Sequence, residues 1–290
     1  MTLAHPDLAA VTGPQPGTRE HASLVTASKV AAIVGASPYT SPWALWQEMK
    51  GNVEPEPTSA VQARGHRLEA AVIDWWLSGH PDADDVLAQP WFPLGDWAGA
   101  RPDLVCTVDG ALAVVEAKTA ARDDGWGTPG TDEIPEHYLA QVTWQMGCSG
   151  AQVAYVPMLG PRLEFREYRV EFDDELFAWL TYEARAFWES LLRDTPPDLD
   201  TSTATLSCLK RMHPDIDAGE RAVITKRDAR AYAAASAACE RAEKRRRAAE
   251  IPIRDAMGRA QYAVLRDGTD IIRRQPSGRG ITLKLIGDVA

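Results

Sequence analysis

The feature that most constrains this chain is a pair of apolar segments joined by Asp109 and Gly110. The segments cover residues 98–108 and 111–119. An Asp-Gly pair between two apolar segments is a strong signal for a tight β-hairpin. The sequence therefore predicts two antiparallel strands that lie side by side within a sheet.

Three charged residues interrupt this apolar hairpin. Asp103 lies in the first segment, and Glu116 and Lys118 lie two positions apart in the second. Residues i and i+2 of a strand point to the same face, so Glu116 and Lys118 project together, and the hairpin brings Asp103 beside them. Two carboxylates can bind Mg²⁺ or Mn²⁺, while an ammonium can hold or activate a water. The alternative is a surface strand with ordinary charges.

Helical patterns flank the hairpin on both sides. Residues 65–77 show the apolar spacing of an amphipathic helix, on which Glu69 is either a solvated residue near the first turns or a further metal ligand. Residues 134–146 begin with a proline in the first turn and place Tyr138, Gln141 and Gln145 on one face. These polar groups need partners, either a nearby lysine, water or phosphate, or a structural hydrogen bond in the core.

An earlier block, residues 25–39, predicts a short helix that starts with Thr and Ser and ends at Gly35. Its start offers free main-chain amides, the hydroxyls of Thr26 and Ser28, and the ammonium of Lys29. Such groups are typical of a phosphate-binding site, here called the phosphate seat. Simple helix capping explains the same residues.

Together these blocks resemble the YqaJ-like viral recombinases, a group that includes the bacteriophage lambda exonuclease, within the restriction-endonuclease-like PD-(D/E)xK nuclease superfamily. The resemblance covers roughly residues 20–195. The matching blocks, in family order, are Val25 to Ser28, Gly35 to Tyr39 with Leu45 and Trp46, Gly65 to Glu69, Arg101 to Asp103, Glu116 to Lys118, and Tyr138 to Val142.

The resemblance implies an α/β fold with a restriction-endonuclease-like core, in which helices flank a central mixed β-sheet. It implies a Mg²⁺- or Mn²⁺-dependent exonuclease that digests linear double-stranded DNA from 5′ to 3′ in phage or prophage homologous recombination. Such digestion leaves a single-stranded 3′ tail for a single-strand annealing protein. Relatives form a ring of three subunits around the duplex.

The resemblance also assigns roles residue by residue. Asp103 and Glu116 are the principal metal ligands, Glu69 completes the acidic cluster, and Lys118 serves the nucleophilic water. The remaining candidates are Gln141 beside that lysine, and Thr26, Ser28, Lys29 and Tyr138 as contacts to DNA or its 5′ phosphate.

Two positions depart from the family pattern. The family usually reads Ser-Pro-Asp-Gly at the first acidic motif, whereas here Asp103 is flanked by Arg101-Pro102 and Leu104. An arginine that commonly precedes the phosphate-seat serine is replaced by His21.

Charge is unevenly distributed along the 290 residues, whose formal net charge is −10. Residues 1–200 contain 13 Lys and Arg against 30 Asp and Glu, while residues 201–290 contain 18 against 11. An acidic total does not exclude DNA, because bound metal offsets carboxylates and a local basic surface can contact phosphates. The four cysteines lack the spacing of a zinc site, an iron-sulfur cluster or a disulfide framework.

The pattern of elements predicts four regions: a flexible leader at 1–20, the nuclease core at 21–195, a linker at 196–222 and an accessory module at 223–290. Within the core, strands are predicted at 151–156 and 163–172, followed by a helix capped by Asp173. The module is predicted to be a charged helix at 223–258 followed by a three-stranded antiparallel meander. Its basic residues suggest DNA tracking, oligomer contacts or recruitment of the annealing protein.

Two other functions remain compatible with these residues. The same chemistry can serve an endonuclease or a flap nuclease, and a decayed site would leave a non-catalytic DNA-end-binding scaffold. No stretch of about 18 apolar residues and no signal pattern is present, so we expect no membrane partner. The expected location is the cytoplasm, that of the bacterial host if a phage encodes the protein.

Overall fold

The computed structural model describes residues 13–278 and 280–287. Most of the predicted leader, residues 1–12, lies outside the described residues. The chain divides into two compact units, Met1–Ile216 and Asp217–Ala290, here called the N-terminal and C-terminal units.

The N-terminal unit mixes helices and strands. Its helices are α1 (Arg19–Ser23), α2 (Ala27–Ile33), α3 (Pro42–Lys50), α4 (Ala60–Gly79), α5 (Glu136–Ser149), α6 (Asp174–Leu192) and α7 (Thr203–Met212). Its strands are β1 (Val25–Thr26), β2 (Asp84–Ala88), β3 (Phe92–Leu94), β4 (Ala98–Ala100), β5 (Leu104–Val108), β6 (Ala111–Val115), β7 (Lys118–Thr119), β8 (Val153–Leu159) and β9 (Phe165–Glu171).

The main sheet has six strands and mixed direction. β5 and β6 form the predicted hairpin, with Asp109 and Gly110 at its turn, both at positive φ. β2 extends the sheet antiparallel to β5, while β6 and β7 both run parallel to β8, which pairs antiparallel with β9. The first apolar segment is not one strand, because β4 belongs to a separate three-stranded sheet with β1 and β3.

Helices cover both faces of the main sheet because its strands alternate between two apolar clusters. Val114 packs with Val142 and Met146 of α5, whereas Val115 packs with Trp76 of α4 on the opposite face. A third cluster joins α2, α3, α5 and α6 and includes Trp144, which is fully buried. The predicted α/β core, a mixed sheet flanked by helices, is confirmed.

The segment predicted to be a linker, residues 196–222, contains α7. This helix packs on α3 through Cys208, which lies against Trp43. The Ser41 and Thr205 hydroxyls are 2.6 Å apart, and Arg211 forms an ion pair with Glu48 at 2.7 Å. These contacts place α7 in the N-terminal unit, and Pro196 and Pro197 at the start of the predicted linker precede it.

The C-terminal unit consists of α8 (Lys226–Met257) and an antiparallel meander of β10 (Tyr262–Val264), β11 (Asp270–Ser277) and β12 (Gly280–Leu285). Both predicted elements are therefore present. α8 buries only Met257, and Thr225 caps its start by accepting a hydrogen bond from Asp228 N.

Among the described residues, none of the helices combines the length and the apolar character that crossing a membrane requires.

Candidate active site

Asp103 immediately precedes β5, where the hairpin brings it opposite the end of β6. Leu104 pairs with Val115, so the Asp103 carboxylate lies beside the residues that follow β6. Its Oδ2 accepts a hydrogen bond of 2.8 Å from Ala117 N. The predicted proximity of Asp103 to Glu116 and Lys118 is therefore present, and a main-chain amide orients the carboxylate.

Glu116 is buried, with 5% of its surface exposed. Its Oε1 accepts hydrogen bonds from Lys118 Nζ at 2.7 Å and from Gln141 Nε2 at 2.6 Å. Its Oε2 accepts a third from Gln145 Nε2 at 2.8 Å. Since an ionised carboxylate offers only acceptor sites, these three donors stabilise its charge within the protein.

Lys118 projects beside Glu116 as predicted, but the predicted strand is interrupted, because Glu116 and Ala117 lie between β6 and β7. Its Nζ also donates to Gln141 Oε1 at 3.1 Å and lies 4.8 Å from the centre of the Tyr138 ring, within range of a cation–π contact. Burial lowers the pKa of Lys118, but Glu116 and Asp103 raise it, and the net direction is upward. Lys118 is therefore a charged ammonium at neutral pH.

The Asp103 carboxylate is destabilised in its ionised form. Burial and the negative charges of Glu116 and Glu69 raise its pKa to about 9, against the opposing effect of Lys118 and the amide of Ala117. A cation beside Asp103 would reverse this effect, because a positive charge favours the ionised form of a carboxylate.

Glu69 lies in the third turn of α4, since the helix begins at Ala60, five residues before the start of the predicted segment. A dipole effect at the helix start does not explain Glu69 there, because that effect is confined to the first turn. Its Oε1 accepts a hydrogen bond of 3.3 Å from Gln89 Nε2, and its Oε2 is 3.8 Å from His66 Nδ1. The negative charge of Glu69 helps to raise the pKa of Asp103, so Glu69 belongs to the same acidic cluster.

The chemistry of these donors fits a hard divalent cation, which prefers carboxylate oxygens. Among the described residues no three His, Cys, Asp or Glu side chains converge closely enough to hold an ion by themselves. Glu116 already accepts from Lys118, Gln141 and Gln145. Mg²⁺ commonly uses only one or two protein carboxylates with water and substrate oxygens, so Asp103 and Glu116 suffice as donors.

The predicted phosphate seat is built differently from a simple cap. Thr26 is the N-cap of α2, but its side chain makes no capping hydrogen bond and instead lies 3.2 Å from the Ser28 hydroxyl. Lys29 Nζ donates to Ala22 O at 2.6 Å and to Leu24 O at 2.7 Å. The ammonium is thus held by the main chain around α1, while Ser28 is exposed.

Sequence reasoning placed Gln145 on the polar face of α5 without naming it as a site residue, and it assigned no role to Gln89 or Arg101. Gln145 is four residues from Gln141 on the same helical face, and that spacing was a usable signal because both amides reach Glu116. Gln89 and Arg101 carry no sequence signal for their contacts. The Gln89 side chain reaches Glu69 across 20 positions, and Arg101 donates to Gln89 O.

The chain is distantly similar to solved structures of exonucleases. LHK-Exo, an alkaline exonuclease from Laribacter hongkongensis solved in complex with dAMP, is 23% identical over 61% of this chain and 91% of that protein, with a TM-score of 0.48. A phage-related exonuclease from Haemophilus somnus 129PT is 12% identical over 59% of this chain and 96% of that protein, with a TM-score of 0.45. No curated protein matches the sequence.

A family model matches the part of the chain that builds the site. The matched segment is residues 17–152, which includes every predicted site residue from Thr26 to Gln141. The matching model is that of the YqaJ-like viral recombinase domain, the family that the ordered motifs resemble. Residues 17–152 of this chain are therefore similar to the YqaJ-like viral recombinase domain.

Proposed function

We propose that the protein is a divalent-metal-dependent DNA exonuclease that digests linear double-stranded DNA from its ends. The observation that carries the proposal is the cluster of Asp103, Glu116 and Lys118, in which the lysine is charged and contacts both Glu116 and Gln141. The family match supports a role in recombination.

Asp103 and Glu116 are the residues that hold Mg²⁺ or Mn²⁺, with Glu69 adding negative charge from α4. When bound, such an ion polarises the phosphodiester and lowers the pKa of a water. The pKa of Asp103, raised to about 9 by burial and by the two glutamates, supports this assignment, because a cation relieves the repulsion among the three acids.

Lys118 acts on the attacking water as a hydrogen-bond donor rather than as a base, since its raised pKa keeps the ammonium charged. Gln141 orients it by accepting one of its hydrogen bonds while donating another to Glu116. The Tyr138 ring lies beneath the ammonium and restricts its direction. Hydrolysis thus depends on positioned charges at the phosphodiester.

Thr26 and Ser28 are the proposed contacts to the 5′ phosphate, because their paired hydroxyls lie at the start of α2 and Ser28 is exposed. Lys29 adds positive charge behind them, and Tyr138 is a further candidate DNA contact. Digestion in the 5′-to-3′ direction, a single-strand annealing partner and a ring of three subunits follow from the family resemblance. A location in the cytoplasm is part of the same proposal.

The proposal is tested with three DNA substrates in Mg²⁺ or Mn²⁺: a linear duplex labelled at its 5′ ends, the same duplex labelled at its 3′ ends, and a covalently closed circle. We expect early release of the 5′ label, late release of the 3′ label and an intact circle. A 5′-phosphorylated end should be digested faster than a 5′-hydroxyl end.

Each alternative function has its own result in this experiment. Cleavage of the closed circle would favour an endonuclease, and cutting restricted to branched ends would favour a flap nuclease. Binding of linear duplex without hydrolysis in either metal would favour the non-catalytic scaffold.

A further inference from the structure

Gln89, the residue that follows β2, contacts two of the three acids of the candidate site. Its main-chain N–H donates to Asp103 O at 3.0 Å. Its side-chain Nε2 donates to Glu69 Oε1 at 3.3 Å. A single residue therefore connects the strand that carries Asp103 with the helix that carries Glu69.

The backbone of Gln89 adopts a conformation that a glutamine does not favour. Its φ is +49°, in the left-handed region that glycine occupies most readily. Such a conformation in a non-glycine residue persists when neighbouring contacts hold it. The conformation places the N–H of Gln89 on Asp103 and its side chain on Glu69.

Arg101 makes the contact that holds Gln89. Its Nη1 donates to Gln89 O at 2.7 Å, and its Nη2 donates to Pro14 O at 3.2 Å. The guanidinium centre lies 5.7 Å from the centre of the Trp91 ring. A planar guanidinium can span two carbonyls and lie over an aromatic ring at once, which a lysine ammonium cannot reproduce.

We propose that Arg101 and Gln89 are positioning residues that set the Glu69 carboxylate against Asp103 and so strengthen binding of the divalent metal. This inference rests on the proposed function. It gives a role to Arg101, one of the two residues around Asp103 that depart from the usual family motif.

Hydrogen-bonded partners of metal ligands commonly change metal affinity by about 10–100-fold when removed. The Gln89→Gly variant removes the side-chain amide, while glycine accepts the positive φ without strain. We expect this variant to bind Mn²⁺ about 10-fold more weakly than the wild type, with an unchanged melting temperature in chelator. Arg101→Lys should weaken binding to a similar degree.

Coupling between the two substitutions separates this role from a merely structural one. If Arg101 acts through Gln89, the double variant should bind Mn²⁺ no more weakly than the weaker of the two single variants. If Arg101 and Gln89 acted independently, the loss of Mn²⁺ affinity in the double variant would instead be the product of the two single losses. Matched controls are Gln152→Ala and Arg162→Lys, which alter exposed residues of the same unit.

The experiment is a calorimetric titration of the full chain with Mn²⁺ alone. Weaker binding by both single variants, without a further loss in the double variant, supports the proposal. Wild-type affinity in Gln89→Gly would overturn it, as would multiplicative losses. No Mn²⁺ binding by the wild type would reject the proposed function itself, and with it this role of Arg101 and Gln89.

Discussion

In the N-terminal unit Glu116 is 5% exposed and accepts three hydrogen bonds, whereas Arg245, Arg246 and Arg247 of the C-terminal unit are all exposed on α8. The first arrangement fixes charges in one geometry at the cost of desolvating them. The second leaves charges in water, where they contribute little to stability but remain available to a partner. We therefore expect the chemistry in the N-terminal unit and electrostatic association with a partner in the C-terminal unit.

Removing the ammonium from the buried cluster should have the largest effect. We expect Lys118→Ala to lower the rate of hydrolysis of linear duplex by about 10²–10⁴-fold, the range found when a group that manages a proton or water is removed. Lys210→Ala is the control, since Lys210 is exposed on α7. Single-turnover digestion measures both variants, and equal rates would place the chemistry elsewhere.

Removing the exposed charges should affect binding instead. If the three arginines of α8 bind phosphates, changing Arg245, Arg246 and Arg247 to Gln should flatten the slope of log affinity against log salt by about 0.9 for each phosphate that is no longer neutralised. The single-turnover rate at saturating enzyme should not change. Fluorescence anisotropy over a salt series measures the slope.

The matched control for this experiment changes Arg162, Arg185 and Arg193, three exposed residues of the N-terminal unit, to Gln. An unchanged salt slope in the α8 variant would leave oligomer contacts or recruitment of a protein as the role of the C-terminal unit.

Burial of the Asp103 carboxylate near two other acids should make the free energy of unfolding depend on pH. In metal-free protein the pKa of Asp103 is raised from 3.8 to about 9 by burial and by Glu116 and Glu69. Between those values the folded state binds more protons than the unfolded state, so this residue lowers the free energy of unfolding as pH rises. The Asp103→Asn substitution removes this pH-dependent loss of stability. The asparagine side chain keeps an oxygen that can accept the hydrogen bond from Ala117 N.

We therefore expect Asp103→Asn to melt at a higher temperature than the wild type in chelator, with a difference that grows from pH 5 to pH 9. A difference of about 4 °C at pH 9 corresponds to roughly 1–2 kcal/mol in a protein of this size. Asp109→Asn, at the hairpin turn of the same sheet, is the control. A difference that is constant with pH would show that the ionised Asp103 carboxylate is not destabilised.

The smallest effect should come from two matched helix caps. Asp173 accepts a hydrogen bond from Leu176 N at the start of α6, and Thr225 accepts one from Asp228 N at the start of α8. Removing such a cap costs about 1 kcal/mol. Asp173→Ala should lower the melting temperature of the N-terminal unit by about 2 °C, whereas Thr225→Ala should leave that transition unchanged. Calorimetry on both variants tests whether the two units unfold separately.

Local patterns predicted much of this structure. The Asp109-Gly110 turn fixed the hairpin, and the hairpin placed Asp103 near Lys118. Asp173 marked the start of α6 correctly. Each of these signals acts between residues that are close in sequence or paired across one turn, where backbone geometry alone sets the outcome.

The features that escaped prediction depend on distant packing. α7 was hidden inside a predicted linker because its contacts, such as that between Thr205 and Ser41, join residues 164 positions apart. Gln89 contacts Glu69 from a backbone with positive φ, and Arg101 donates a hydrogen bond to its carbonyl. No spacing rule connects such residues before the chain is folded.

The most direct test of the central claim is a crystal structure of the protein with Mn²⁺ and a short duplex, using anomalous diffraction to locate the metal. We expect an anomalous peak within coordinating distance of Asp103 and Glu116 oxygens, next to a phosphate of the DNA. A metal bound elsewhere, in protein that digests DNA in the same solution, would contradict the assignment of these carboxylates.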